Sequence, residues 1–204
     1  MVTSLTVADL LRPSARRYAQ FYDAALVIGG SLLIGLSAQI AIWLPISPVP
    51  VTGQTFAVLM LGALLGARRG SLAVVAYIVE GAVGLPVFAA ARAGLPILLG
   101  PTGGYLVGFI AAAHITGSLA EKGWDRRIWS TILAMGLGNV AIYACGLFWL
   151  SCLAGAAKAV LLGGVYPFIP GDLLKIALAA ILLPSGWKLL GCSGLAKNRE
   201  RGRD

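Results

Sequence analysis

The sequence predicts an all-α membrane protein with six transmembrane helices, and two observations carry this prediction. The chain of 204 residues is 58% hydrophobic and only 12% charged, with a mean hydropathy of +0.87. A soluble domain is about 45–50% apolar and about 25% charged, so lipid must cover much of this surface. Backbone groups in lipid must bond internally, which leaves helices or closed barrels. Long charge-free runs, such as 24–46, lack the alternation of barrel strands.

Six apolar segments are separated by stretches rich in proline, glycine or charge. The predicted spans are roughly 23–44, 53–67, 71–88, 103–120, 128–153 and 171–190. Pro45, Pro48 and Pro50 divide the first long apolar stretch, because three prolines in six residues cannot continue a helix. We divide the chain into an amphipathic lead-in, a six-helix substrate-binding domain and a charged tail, over 1–22, 23–190 and 191–204.

The basic residues indicate the orientation of the spans. Only Arg92 and Lys158 fall on the side opposite the termini, and Lys175 falls inside span 6. Thirteen fall on the terminus side: Arg12, Arg16, Arg17, Arg68, Arg69, Lys122, Arg126, Arg127, Lys188, Lys197, Arg199, Arg201 and Arg203. Cytoplasmic segments carry the excess of Lys and Arg, so we expect both termini in the cytoplasm. The net charge of +8 therefore reflects membrane orientation, and we expect no nucleic-acid partner.

Ionisable residues inside the predicted spans are the candidates for function. Asp172 and Lys175 are three residues apart on one helix face, and Glu80 lies midway along span 3. Charged groups at mid-membrane cost at least about 2.5 kcal/mol and usually mark a substrate path. The structural alternatives are that Asp172 caps its helix, that Lys175 pairs with it or snorkels, and that Glu80 is a protonated carboxyl bonded to a neighbouring helix. We favour a binding site for a ligand with N–H groups and a carboxylate.

Five motifs along the chain resemble the BioY family of biotin-uptake proteins, the substrate-binding subunits of energy-coupling-factor transporters. They are PVPVTGQT (48–55), LLGARRG (64–70), GAVGLPVFA (81–89), GPTGGY (100–105) with Gly108-Phe109, and PGDLLK (170–175). The resemblance covers about residues 20–190, and the last two motifs in this order and spacing are specific together. One departure is the run 89–92, Ala-Ala-Ala-Arg, where the family pattern predicts more glycine.

The resemblance implies a multi-pass protein of the bacterial cytoplasmic membrane that holds biotin near the outer face, beneath the loop joining spans 1 and 2. It also implies a membrane coupling subunit and ATPases as partners. Ala25 and Gly29, small residues at helical spacing in span 1, are the candidate docking positions, with packing inside the bundle as the alternative. The substrate-binding residues it implies are Asp172, Lys175, Glu80, Tyr105, Arg92, Gln54, Thr102 and Gly103.

Other functional classes are disfavoured by what the sequence lacks. It contains no nucleotide-binding Gly-x-x-x-x-Gly-Lys-Ser/Thr run, and His114 is its only histidine. Cys145, Cys152 and Cys192 have neither metal-binding nor disulfide-framework spacing. We therefore expect no catalytic residue, metal or cofactor, with biotin as the transported ligand. The alternative function is a stand-alone secondary transporter or facilitator of a small carboxylate or another vitamin.

Overall fold

The described part of the protein is a bundle of long helices, with a short β-hairpin between the first two of them. The computed structural model describes residues 5–43, 45, 47, 49–155 and 165–192. The long helices are α2 (Arg16–Ala38), α3 (Gln54–Leu65), α4 (Ala67–Ala82), α6 (Gly103–Ala120), α7 (Ile128–Ala154) and α8 (Val165–Cys192). The shorter elements are α1 (Val7–Leu11), β1 (Ala41–Ile42), β2 (Val51–Thr52), α5 (Leu95–Leu99) and two 3-10 turns, Ala89–Ala91 and Trp124–Arg126.

Four of the described helices are long and apolar enough to cross a membrane: α2, α6, α7 and α8. The predicted second and third spans correspond to α3, an apolar helix of 12 residues, and α4, a helix of 16 residues. Both are short for a hydrocarbon core of about 30 Å, which needs about 20 residues at 1.5 Å each. The mostly helical fold is confirmed, and these two segments are helices of less than full spanning length.

The first span begins and ends earlier than predicted. Its helix already starts at Arg16, because backbone hydrogen bonds continue the helix beyond the apolar residues that defined the prediction. It ends at Ala38, and Ala41–Ile42 then pairs antiparallel with Val51–Thr52. The β-branched residues at positions 42 and 51 favour this extended pairing. β1 and β2 therefore form a hairpin; in the following text, its side of the bundle is the hairpin end.

The last helix also begins earlier than its sequence suggests. The sequence predicts that span 6 begins near residue 171, and residues 156–164 lie outside the described residues. From Val165 onward the chain is already helical, and Pro170 and Pro184 lie inside the helix. Each proline removes one backbone donor, and in a bundle the neighbouring helices can hold such a helix together.

Glycines allow the central helices to approach closely. A Cβ atom on Gly62 of α3 would lie 2.2 Å from the Thr116 hydroxyl of α6. A Cβ atom on Gly104 of α6 would lie 2.2 Å from the Trp149 side chain of α7. The hydrophobic effect does not drive helices together in lipid, so their association depends on close packing, which small residues at the crossings allow. These contacts set α3, α6 and α7 as the centre of the bundle.

An ion-pair network fastens the N-terminal segment at the opposite, basic end. Arg69 of α4 donates to Asp9 of α1 at 2.9 Å and to Asp23 of α2 at 2.8 Å. Arg12 donates to the second oxygen of Asp23 at 2.7 Å. Burial raises the pKa of Asp9, but the hydrogen bonds from Arg69 and Thr6 outweigh it, so this pKa lies below its usual value. Together these charges hold α1, α2 and α4 to one another.

A second polar contact at the basic end holds α8 to the turn between α6 and α7. Asp125 is 2% exposed and accepts a hydrogen bond from the Trp187 indole N–H at 2.5 Å. The Arg126 guanidinium stacks over the Trp187 ring at 4.5 Å. Burial raises the pKa of Asp125 to about 6, against the opposing effect of the Trp187 bond.

This raised pKa predicts a pH-dependent stability that Asp125→Asn removes. Between pH 3.8 and about 6 the folded protein binds more protons at this site than the unfolded chain, so stability falls as pH rises through this range. The loss is on the order of 3 kcal/mol, since one pKa unit corresponds to about 1.4 kcal/mol. Thermal unfolding in detergent from pH 4.5 to 7 measures it. Asp125→Asn keeps an acceptor for Trp187 and abolishes this part of the pH dependence; parallel curves for both proteins contradict the assignment.

Candidate ligand-binding site

A cavity opens at the hairpin end of the bundle, between the hairpin and helices α3, α4, α6, α7 and α8. The cavity is open to solvent at its mouth. Its wall is mostly apolar and aromatic, with polar groups at defined positions, which is typical of small-molecule sites. The lining residues are Trp43, Val49, Pro50, Thr52, Gln54, Thr55, Tyr77, Phe88, Ala89, Arg92, Ile97, Thr102, Tyr105, Leu106, Phe109, Asn139, Ile142, Tyr143, Phe168, Asp172 and Lys175.

Lys175 lies at a junction of three elements in the cavity wall. Its ammonium group donates to the Thr52 carbonyl of β2 at 2.9 Å, to the Thr55 hydroxyl of α3 at 2.7 Å and to Asp172 Oδ1 at 3.2 Å. An ammonium group carries three protons, so this side chain is fully satisfied within the protein. Lys175 thereby ties α8 to the hairpin and to α3.

Asp172 is a buried acceptor in the same wall. Its Oδ1 accepts from Lys175, and its Oδ2 accepts a short hydrogen bond from the Tyr143 hydroxyl of α7. Each carboxylate oxygen has two lone pairs, so Asp172 can still accept from a ligand N–H group. The two protein donors hold the carboxylate in one orientation at the edge of the cavity.

A second polar chain crosses the wall between the hairpin and α4. The Thr52 hydroxyl donates to Gln54 Oε1 at 3.0 Å, and the Gln54 amide donates to the Tyr77 hydroxyl. Because Tyr77 accepts this bond, its own hydroxyl proton is left for another acceptor. The Tyr77 ring also packs edge-on against Phe88, with ring centroids 5.5 Å apart.

Arg92 lies at the mouth of the cavity, in the connection between α4 and α5. Its guanidinium stacks over the Trp43 ring at 4.5 Å, which joins this connection to the hairpin. Ala90 and Ala91, at the run where glycine was expected, adopt left-handed φ angles of 59° and 54°. Such angles cost a non-glycine residue roughly 1–2 kcal/mol. The turn is held by Gln39 of the chain after α2, which accepts from the Ala91 N–H at 2.9 Å.

Glu80, predicted as a ligand contact, does not line the cavity. Its Oε1 is 2.7 Å from the Ser31 hydroxyl of α2, and its Oε2 is buried without a hydrogen-bond partner in the described structure. Ser31 Oγ also lies 2.8 Å from the Ile28 carbonyl. Since α4 turns this side chain toward α2, Glu80 occupies a helix–helix contact, the structural alternative raised from the sequence.

Gly103 also lies outside the cavity lining, while its neighbours Thr102 and Tyr105 lie in it. A Cβ atom on Gly103 would lie 1.8 Å from the Leu98 carbonyl, so the glycine permits a tight turn into α6. The Trp149 indole donates to the Gly100 carbonyl at 3.0 Å and anchors that turn. The structure thus brings Asp172, Lys175, Tyr105, Arg92, Gln54 and Thr102 to one cavity.

Sequence reasoning left Asn139 and Tyr143 out of the site. Both lie on α7 and line the cavity. Their spacing of four residues in an apolar helix places two polar side chains on one face, which is a signal for a shared site. The fold shows that α7 turns this face toward Asp172, because the Tyr143 hydroxyl binds its carboxylate.

Comparisons with known proteins agree with this architecture. The sequence model of the BioY family matches residues 12–191. The protein named biotin transporter BioY from Thermotoga maritima is 42% identical over 151 residues, covering 74% of this chain and 86% of that protein. Its namesake from Rhizobium etli is 38% identical over 159 residues, covering 74% and 85%.

Among solved structures, the fold matches a crystal structure of the S-component for biotin from an ECF-type ABC transporter. The TM-score is 0.75, with 24% identity, and the match covers 86% of this chain and 95% of that one. This likeness shows a shared fold. The family match over most of the sequence and the identity to these relatives establish that the chain belongs to the BioY family.

Proposed function

We propose that this protein captures biotin for uptake, as the substrate-binding subunit of an energy-coupling-factor transporter. The observation that carries the proposal is the polarity of the cavity, with a buried acceptor at Asp172 and an exposed cation at Arg92. Close relatives are named biotin transporters. The function is therefore transport and not catalysis.

Biotin matches this polarity along its length. Its ureido ring offers N–H donors, one of which suits the Asp172 carboxylate, and a carbonyl, which suits the Tyr77 hydroxyl. Its apolar bicyclic body suits the aromatic walls formed by Phe88 and Tyr105. Its carboxylate suits Arg92, which is at the mouth, whereas the Lys175 protons already have protein acceptors. Biotin therefore enters with its ureido ring first.

The membrane arrangement completes the proposal. We assign six membrane-inserted helices, α2, α3, α4, α6, α7 and α8, with both termini in the bacterial cytoplasm. The charge distribution supports this, because Arg12, Arg68, Arg69, Arg126 and Arg127 lie at the basic end. The hairpin end and its cavity then face outward, where biotin arrives. The stand-alone transporter of another small carboxylate remains the second candidate, since Arg92 suits any carboxylate at the mouth.

Binding of biotin and of biotin amide to the purified protein tests the site directly. The amide lacks the charge-assisted contact to Arg92, which is worth roughly 1.5–3 kcal/mol, so its affinity is expected to be about 10- to 100-fold lower. In Arg92→Gln this difference between acid and amide shrinks to a few-fold. Isothermal titration calorimetry measures both. Equal affinities in the wild type contradict the assignment of Arg92, and no biotin binding contradicts the function.

Glu80→Gln is expected to bind biotin as the wild type does. The amide keeps a hydrogen-bonding partner for Ser31, and the side chain lies outside the cavity lining. The same titration measures it, and Asp172→Asn, with at least a tenfold loss expected, is the comparison inside the site. A comparable loss in Glu80→Gln shows that Glu80 does contact the ligand.

We also propose docking to a membrane coupling subunit, which with ATPases drives uptake. The exposed position of Ala25 and Gly29 on α2 supports an outward-facing patch, since a Cβ atom on Gly29 meets no atom within 4 Å. Glu80, Ser31 and Gly30, by contrast, face the interior.

Gly29→Trp and Ala25→Trp are expected to retain biotin binding and lose uptake. A bulky ring on this face blocks close helix approach by a partner without entering the bundle. Uptake of labelled biotin in cells that hold the partner subunits, measured beside binding by the purified variants, separates the two. Leu133→Trp, at an exposed position on α7 and therefore on a different helix from the patch, is the matched control. Loss of binding, or concentrative uptake by this chain alone in vesicles, contradicts docking.

A further inference from the structure

Asn139 is a buried amide in the cavity wall with an unsatisfied oxygen. The residue is 6% exposed and lines the cavity. Its Oδ1 atom is buried and receives no hydrogen bond from the part of the chain that the structure describes. Buried polar groups are nearly always hydrogen-bonded, because an unpaired one is unfavourable where the dielectric is low. A ligand in the cavity can supply the hydrogen-bond donor that this oxygen lacks.

Asn139 is a second acceptor in the cavity wall, and it lies at a different depth in the cavity from Asp172. Tyr143, whose hydroxyl binds Asp172, lies one helical turn from Asn139 on the same face of α7. Four residues of helix span about 6 Å, and Asn139 is on the side away from the mouth. Ile142 lines the cavity beside them. The deep part of the cavity is therefore bordered by two acceptors that belong to different helices.

We propose that Asn139 is a ligand-binding residue that accepts one N–H of a cyclic urea while Asp172 accepts the other. This inference rests on the proposed function and names how its site reads the ureido ring. The two N–H bonds of a five-membered cyclic urea diverge on either side of the carbonyl. One carboxylate cannot accept both, because its two oxygens are only about 2.2 Å apart and face one direction. A separate acceptor is needed, and Asn139 is the unsatisfied one.

This pair of acceptors makes the site specific for ligands that carry both N–H groups. A ring in which one nitrogen is methylated leaves one acceptor buried and unpaired, and sites built to bond a donor strongly reject analogues that lack it. The Asn139 carboxamide is not ionisable, so its oxygen accepts a hydrogen bond at any pH at which the protein is folded.

Calorimetric titration of biotin and its two ureido N-methyl derivatives, against the wild type and Asn139→Leu, tests the proposal. The wild type is expected to bind each derivative at least tenfold more weakly than biotin. Asn139→Leu is expected to bind biotin about 10- to 100-fold more weakly, and methylation of one nitrogen then costs much less than in the wild type. Asn139→Ala replaces the leucine variant if that does not fold, and Val140→Leu, at the adjacent exposed position, is the control.

The outcomes separate this inference from the proposed function. If the wild type binds biotin and Asn139→Leu binds it within twofold, the residue is not a contact and only this inference fails. A derivative that the wild type binds as tightly as biotin contradicts a two-acceptor site whatever the variants show. If the wild type does not bind biotin, the proposed function fails and takes this inference with it.

Discussion

The three hydrogen bonds of the Lys175 ammonium group hold the binding site together. A buried charge is unfavourable unless it is paired and hydrogen-bonded. Here the three ammonium protons are accepted by Thr52 of β2, Thr55 of α3 and Asp172 of α8. Because two of those acceptors are Thr52 and Thr55, the position of the hairpin depends on a side chain of α8. The hairpin in turn forms one wall of the cavity. Lys175 thus positions the hairpin and Asp172, and we propose that Asp172 is the group presented to the ligand.

The same junction explains the polarity of the cavity. Protein donors occupy one lone pair on each Asp172 oxygen, which aligns the carboxylate for donors on a ligand. At the mouth, the Arg92 guanidinium is exposed and stacks on Trp43, so its donors can turn to a carboxylate. The left-handed turn at Ala90 and Ala91 stores backbone strain beside this arginine. We propose that the acceptors inside the cavity and the cation at its mouth orient one end of the ligand inward.

The sequence predicted the helices and named several of the residues that the fold brings to the cavity, for identifiable reasons. Hydropathy located α6 and α7 almost to the residue, since their ends carry glycine or charge. Asp172 and Lys175 were found because ionisable groups in apolar helices are rare. The direction of Glu80 could not be predicted, because a lone carboxyl in a helix points to α2 or to the cavity according to how α4 packs. Asn139 could not be assigned to the site from the sequence, because a neutral amide in one helix gives no indication of which helix it faces. Only the fold shows that it lines the same cavity as Asp172.

The orientation of the bound ligand is the central claim, and an experimental structure of the protein with biotin tests it most directly. We predict that the ureido ring lies in the deep part of the cavity, with Asp172 within hydrogen-bond distance of one ureido nitrogen, and that the carboxylate binds Arg92 at the mouth. The bonds from Lys175 to Thr52 and Thr55 remain in place. A complex in which the biotin carboxylate binds Lys175, with the ureido ring at the mouth, contradicts the account.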